Sequence, residues 1–211
     1  MPNPSLEFQK VFQALRRHGL LLESDAWLPS LTHIVAGEPI KGSWWGHPKG
    51  RLIFRVSNQI DYHPDVLVTK LISGKVTFVH RKLWPALLAV ANAREAWQTR
   101  NLSATARALL KLVIENGQVQ TDQHSRSRFS KFISPAALEL EKRLLVHGEQ
   151  FHSDSGSHAK RLETWDHWAK RVGVAENLPA ADQAKADFEK TVTLLNERWQ
   201  GKGQLPWCDA H

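Results

Sequence analysis

The sequence predicts a mainly α protein with small β-hairpins, an α+β fold. Three observations carry that prediction. Apolar residues recur at helical spacing through most of the chain, two β-rich runs are joined by ISGK, and a Ser/Gly-rich turn follows a further extended run. The 211 residues suffice for one domain or two small ones, and 42% hydrophobic with 23% charged residues excludes wholesale disorder.

Ser5 is placed to cap a first helix in which Phe8, Val11, Phe12 and Leu15 follow the i, i+3, i+4, i+7 rule, and Gly19 ends it. A short helix is expected around 29–35. EPIKGSWWGHPKG, with three glycines and two prolines, reads as a loop, and RLIFRVSNQI is ambiguous between helix and strand. VLVTKL and VTFVH form a hairpin near 66–80, and Pro85 opens a helix carrying Trp84, Leu87, Leu88 and Ala91 on one face. Ser103 caps a helix with Ala106, Leu109, Leu110 and Val113 inward, stopped at Asn116-Gly117. QVQTD is extended, a brief basic helix spans about 123–131, and Ser134 with Pro135 opens a helix that runs to Gly148 and buries Ala137, Leu138, Leu144 and Leu145. EQFHSDSGSH then forms a strand entering a turn, a wing near 148–158. Helix, short strand, helix, helix and β-wing is the order of a winged helix-turn-helix. Residues 158–172 read as helical, where a plain winged helix would return a strand, and a last amphipathic helix near 180–200 places Ala184, Phe188, Val192, Leu195 and Trp199 along a stripe. The resulting division is a basic helical region with a β-hairpin over 1–100, a winged-helix-like domain over 101–172, and a C-terminal amphipathic helix and tail over 173–211.

The chain carries a net charge of +7, and the excess is local. Residues 39–94 hold nine bases (Lys41, Lys49, Arg51, Arg55, Lys70, Lys75, Arg81, Lys82, Arg94) against two acids, Asp61 and Asp65. A smaller acid-free run, 123–138, carries Arg126, Arg128 and Lys131. The first run interleaves Trp44, Trp45, His47 and Phe54 with its bases. Cations grip phosphate and flat side chains stack on bases, so the pattern points to duplex DNA. The expected contacts are Lys41, Trp44, Trp45, His47, Lys49, Arg51, Arg55, Lys75, Arg81, Arg126, Arg128 and Lys131. The Trp pair can equally be core.

GSWWGHP (42–48), HPDVLVTKLISGKVTFVHRKLWP (63–85) and LEKRLLVHGEQFHSDSGSHAKRLETWDHWA (140–169) resemble winged-helix proteins related to the AlkZ-type DNA glycosylases, a bacterial group. The resemblance covers about half of the chain. It implies helix-turn-helix units with β-wings and a role on DNA in repair. Those glycosylases are longer, with tandem winged helices around a DNA channel and a catalytic Gln-x-Gln motif in the N-terminal part. The one such triplet here, Gln118-Val119-Gln120, stands in the second half, on an expected strand.

Glycosidic-bond chemistry needs a carboxylate, and Asp65 and Asp61 are the candidates, with nearby cations expected to keep both ionised. Each can instead pair with a base such as Lys70 or cap a turn. His147, His152 and His158, with Asp154, match no zinc spacing, and no HExxH, P-loop, Rossmann or nucleophile-elbow motif occurs. One cysteine, Cys208, excludes an internal disulfide framework, and no cofactor or metal is expected. No run approaches the roughly 18 apolar residues of a membrane span and MPNPSLEFQKVF lacks a signal-peptide core, which predicts a cytoplasmic protein, with the monomer favoured. Three functions follow in order: a DNA-binding winged-helix protein, a DNA glycosylase-like enzyme using Asp61 or Asp65, and a protein-interaction module using the Trp stripe.

Overall fold

The computed structural model describes residues 5–121, 130–152, 158–174 and 177–208, with the backbone alone at 130, 131, 151, 152 and 158. The protein is mixed α and β with small antiparallel sheets. Its contacts divide it into two compact units, one built from the chain up to Trp84 and again from Lys185 onward, the other from Pro85–Ala184.

In the first unit the Ser5 hydroxyl accepts the Phe8 amide at 3.2 Å and starts α1 (Leu6–His18), which buries Phe8, Val11 and Leu15. Strand β1 (Leu20–Leu22) follows, then α2 (Leu31–Ala36), capped by Ser30. A 3-10 turn at Trp44–Gly46 leads into α3 (Gly50–Asp61), and β2 (Val66–Lys70) and β3 (Val76–His80) complete a sheet in the order β1-β3-β2. Phe78 sits opposite both Leu21 and Val68 and is fully buried beneath α1 and α3. The hairpin expected near 66–80 is present, and Ser73 and Gly74 in its turn take left-handed φ values of 50° and 65°. RLIFRVSNQI is a helix. Ile53, Val56 and Ile60 bury one side of it while Arg51, Phe54, Arg55 and Asn58 stay exposed, a period near 3.6 rather than 2.

The second unit runs through α4 (Trp84–Asn92, from Pro85), α5 (Ala96–Thr99), α6 (Ala104–Asn116), β4 (Gln118–Gln120), α7 (Ser130–Lys142), β5 (His147–His152), β6 (His158–Glu163) and α8 (Trp165–Val172). Its sheet has the order β4-β6-β5, with Val119 and Gly148 flanking Leu162. The core is Ala106, Leu109 and Val113 of α6 against Ala136, Ala137 and Leu140 of α7 and Leu162.

Three expectations do not hold. Residues 158–163 are a strand and not the start of a helix, which begins after Thr164, whose hydroxyl accepts the His167 amide. Leu162 falls in helical register with Trp165 and Ala169 of α8, which mimics one continuous helix, although it faces the core from β6. Helix α7 starts at Ser130, so Ser134 is no cap and Pro135 stands inside it. It also ends at Lys142, and Gly148 lies in β5. The basic helix expected over 123–131 falls largely outside the described residues, as do residues 153–157 of the wing expected near 148–158.

Glu163 ties this unit together. With its side chain fully buried, it meets His147 at 3.0 Å, His167 at 2.8 Å and the Arg171 guanidinium at 2.5 Å, joining β5, β6 and α8. Burial alone would raise its pKa. The hydrogen bonds from His147, Arg171 and His167 outweigh that and hold the carboxyl far below the usual range.

The last helix, α9 (Ala181–Trp199), buries Phe188, Val192 and Leu195 as the sequence stripe predicts. Beyond it Gln204 exchanges two hydrogen bonds with Ser73: its carbonyl accepts the Ser73 amide at 2.7 Å, and its amide donates to the Ser73 hydroxyl at 3.1 Å. The C-terminal segment therefore straps the β2–β3 turn. No helix among the described residues is long and apolar enough to cross a membrane.

Candidate nucleic-acid interface

Helix α3 and the residues that lead into it from Trp44 hold six of the twelve expected contacts. Gly50 makes their junction possible, since a Cβ there would stand 3.1 Å from the Trp45 carbonyl oxygen and 3.2 Å from that of Trp44. The two indoles stack with centroids 4.2 Å apart and planes 21° from parallel, yet they serve different roles. Trp44 is core at 8% exposure and Trp45 is 66% exposed, its ring 5.6 Å from that of half-exposed Phe54. The core reading therefore holds for Trp44, while Trp45 presents its ring to solvent. Replacing Trp44 by alanine is expected to cost about 3–5 kcal/mol of stability and replacing Trp45 about 1 kcal/mol, read from urea unfolding. Equal losses would mean that the outer indole is also core.

Arg51 and Arg55 project from the exposed face of α3, and neither has a hydrogen bond or ion pair among the described residues. Asn58 and Tyr62 continue that face at i+7 and i+11 from Arg51, with Tyr62 79% exposed. Sequence reasoning left Phe54, Asn58 and Tyr62 out of the contact set. Their helical spacing from Arg51 was the available signal, hidden while the segment stood open between helix and strand. Lys41 is exposed on the preceding loop.

The other predicted cations are occupied. The Lys49 ammonium donates to the carbonyls of Ala36 at 2.7 Å and Val35 at 3.3 Å, closing the C-terminus of α2. Lys75 donates to Asp25 at 2.6 Å across the sheet end. Burial pushes the Asp25 carboxyl up, but Lys75 and the amides of Trp27 and Leu28 bring it below its ordinary value. Arg81 donates to Asp65 at 2.9 Å. His47 accepts the Lys49 amide on Nδ1 and lies 3.5 Å from Glu38 through Nε2. Arg126 and Arg128 lie outside the described residues, as does the side chain of Lys131.

The two acids part company. Asp65 is held as an ion partner of Arg81, while its amide donates to His63 Nδ1 at 3.1 Å. Asp61, at the end of α3, is not kept ionised by cations. Desolvation of its carboxyl by the surrounding chain, then the negative charge of Glu23, push its pKa up to about 7, although the residue as a whole is exposed. Glu23 is itself raised by burial, against the opposing pull of Lys70 and a hydrogen bond from Ser57. Because the folded value lies above the ordinary 3.8, stability is fullest below that value and is lost as pH rises through about 7. Asp61→Asn is therefore expected to leave stability unchanged in acid and raise it above pH about 7. A denaturation series across that range checks it, with solvent access to the residue tempering the gain.

Gln118 and Gln120 flank buried Val119 on β4, an alternating strand paired with β6. Compared with protein-family models, curated proteins and solved structures, the chain matches none.

Proposed function

We propose that this is a duplex-DNA-binding protein whose two units are both winged helix-turn-helix modules, with α3 as the recognition helix of the first. The observation that carries it is the exposed face of α3, where two guanidinium groups with no partner among the described residues, Arg51 and Arg55, flank Phe54 beside the outward indole of Trp45. Guanidinium forks suit phosphate and guanine edges, and a helix of this length fits a major groove. The element order supports the module reading. Helix, strand, helix, helix, strand, strand, with the first strand beside the last, describes the first unit. The second repeats that sheet order. The sequence resemblance likewise implies helix-turn-helix units with β-wings and a place in bacterial DNA repair. Strapping of the β2–β3 turn by Gln204 leaves contact in the first unit to the helix rather than the wing.

Fluorescence anisotropy of a labelled duplex at several salt concentrations tests the reading. Affinity should fall steeply, with log K linear in log salt. Affinity that does not respond to salt would remove the DNA function.

A glycosylase activity has one observation of its own, the Asp61 carboxyl near pKa 7, in the range of a general acid. Release of a modified base from alkylated or crosslinked duplexes, lost in Asp61→Asn, would establish it. No release across the panel would leave the binding function alone.

A further inference from the structure

A cleft separate from α3 lies wholly within the first unit. It has a volume of about 780 Å³ and is lined by Arg17 and His18 at the end of α1, Lys82 and Leu83 after β3, and one side of α9. That size is ordinary for a small-molecule site. Gly19 shapes one wall: its φ of 81° turns the chain, and a Cβ there would stand 2.8 Å from Leu83 and 2.9 Å from Lys82.

The lining has two halves. Leu83, Leu195, half-exposed Leu194 and the Trp199 indole are apolar. Arg17, Lys82 and Arg198 are cationic, against Glu197 as the one lining acid. Neither Arg17 nor Arg198 meets an acid among the described residues, although the Lys82 ammonium is spent on the carbonyl of Arg16 at 2.7 Å. The His18 ring stands edge-on to Trp199 at 5.2 Å, and the Arg198 guanidinium lies 4.6 Å from the same indole. Three cations against one acid leave the lining net positive, and burial, followed by the charges of Arg198, Arg17 and Lys82, holds His18 below its ordinary pKa.

We infer that this cleft binds a small aromatic anion, its ring against Trp199 and the leucines and its carboxylate or phosphate between Arg17 and Arg198. Two guanidinium groups without acidic partners suit a bidentate anion, and the indole with its leucine wall suits a flat ring. The cleft shares no residue with the face of α3, so the inference stands apart from the DNA-binding proposal.

Calorimetric titration of the full chain tests it with four probes. 2-Naphthoate and adenosine 5′-monophosphate each join a ring to an anion, naphthalene-2-methanol keeps a ring without charge, and inorganic phosphate keeps charge without a ring. At least one of the first two should saturate below about 1 mM and bind at least about tenfold tighter than the last two. Which one binds separates a carboxylate ligand from a nucleotide. R17Q/R198Q, checked for unchanged far-UV circular dichroism, should weaken that binding at least about tenfold. Three results would each overturn the inference: no saturation by either ringed anion, equal affinity for the uncharged ring, or unchanged affinity in the double variant. Displacement of the bound probe by a duplex, with duplex affinity also lost in R17Q/R198Q, would overturn it too by making the cleft part of the DNA surface.

Discussion

Alanine at both Arg51 and Arg55 is expected to weaken duplex binding by about a hundredfold at low salt and to lower the slope of log K against log salt by about two units, one for each lost phosphate contact. Both side chains are exposed and free of partners among the described residues, so their removal should leave the unfolding midpoint nearly unchanged. Lys49→Ala and Lys75→Ala supply the contrast. Each removes a cation that closes a structural contact, the α2 carbonyls in one case and Asp25 in the other. They should lower stability and leave the salt slope in place. If all four cations change the slope alike, binding comes from a diffuse positive field and α3 is no recognition helix. Phe54→Ala refines the result: loss of affinity at a constant slope would mark an apolar contact to base edges or methyl groups.

Glu163→Gln is expected to destabilise the second unit by about 3 kcal/mol, because it removes the one carboxylate shared by His147, His167 and Arg171. The Arg171 side chain is 39% exposed and can turn to water, which keeps the loss toward the lower end for a broken buried pair. The pH dependence gives the mechanism its own signature. The folded carboxyl lies well below the ordinary range, so its stabilisation is present above the unfolded value of about 4.3 and is lost as pH falls toward the folded one. Wild-type protein should therefore lose stability steeply in acid and the variant should show a shallower fall. Parallel acid curves for the two proteins would mean that the carboxylate is not the anchor. Two compact units need not unfold as one, so a probe confined to the second, such as hydrogen exchange at β5 and β6, is the proper readout.

Local pattern alone was sufficient for much of this protein. Ser5 and Ser103 read as helix caps and are caps, because a hydroxyl accepting an amide three residues on is a short-range event. The hairpin over 66–80 and the C-terminal helix were legible for a similar reason, the first from β-rich runs around Ser73-Gly74 and the second from one unbroken stripe. The charge asymmetry was likewise countable from residues 39–94. Tertiary structure decided the rest. RLIFRVSNQI carries apolar residues at positions that fit either period, and packing of Ile53, Val56 and Ile60 into a core with Phe78 made it helical. Residues 158–163 became a strand because two partners, β4 and β5, were available on either side, and pairing partners distant in sequence leave no local mark. The same holds for charge. Lys49, Arg51, Lys75 and Arg81 are equivalent letters in one basic run. Folding brought the carbonyls of α2, Asp25 and Asp65 to three of them and left Arg51 facing solvent. Composition sets how much positive charge the chain carries, but long-range contacts select which cations remain free to meet a ligand.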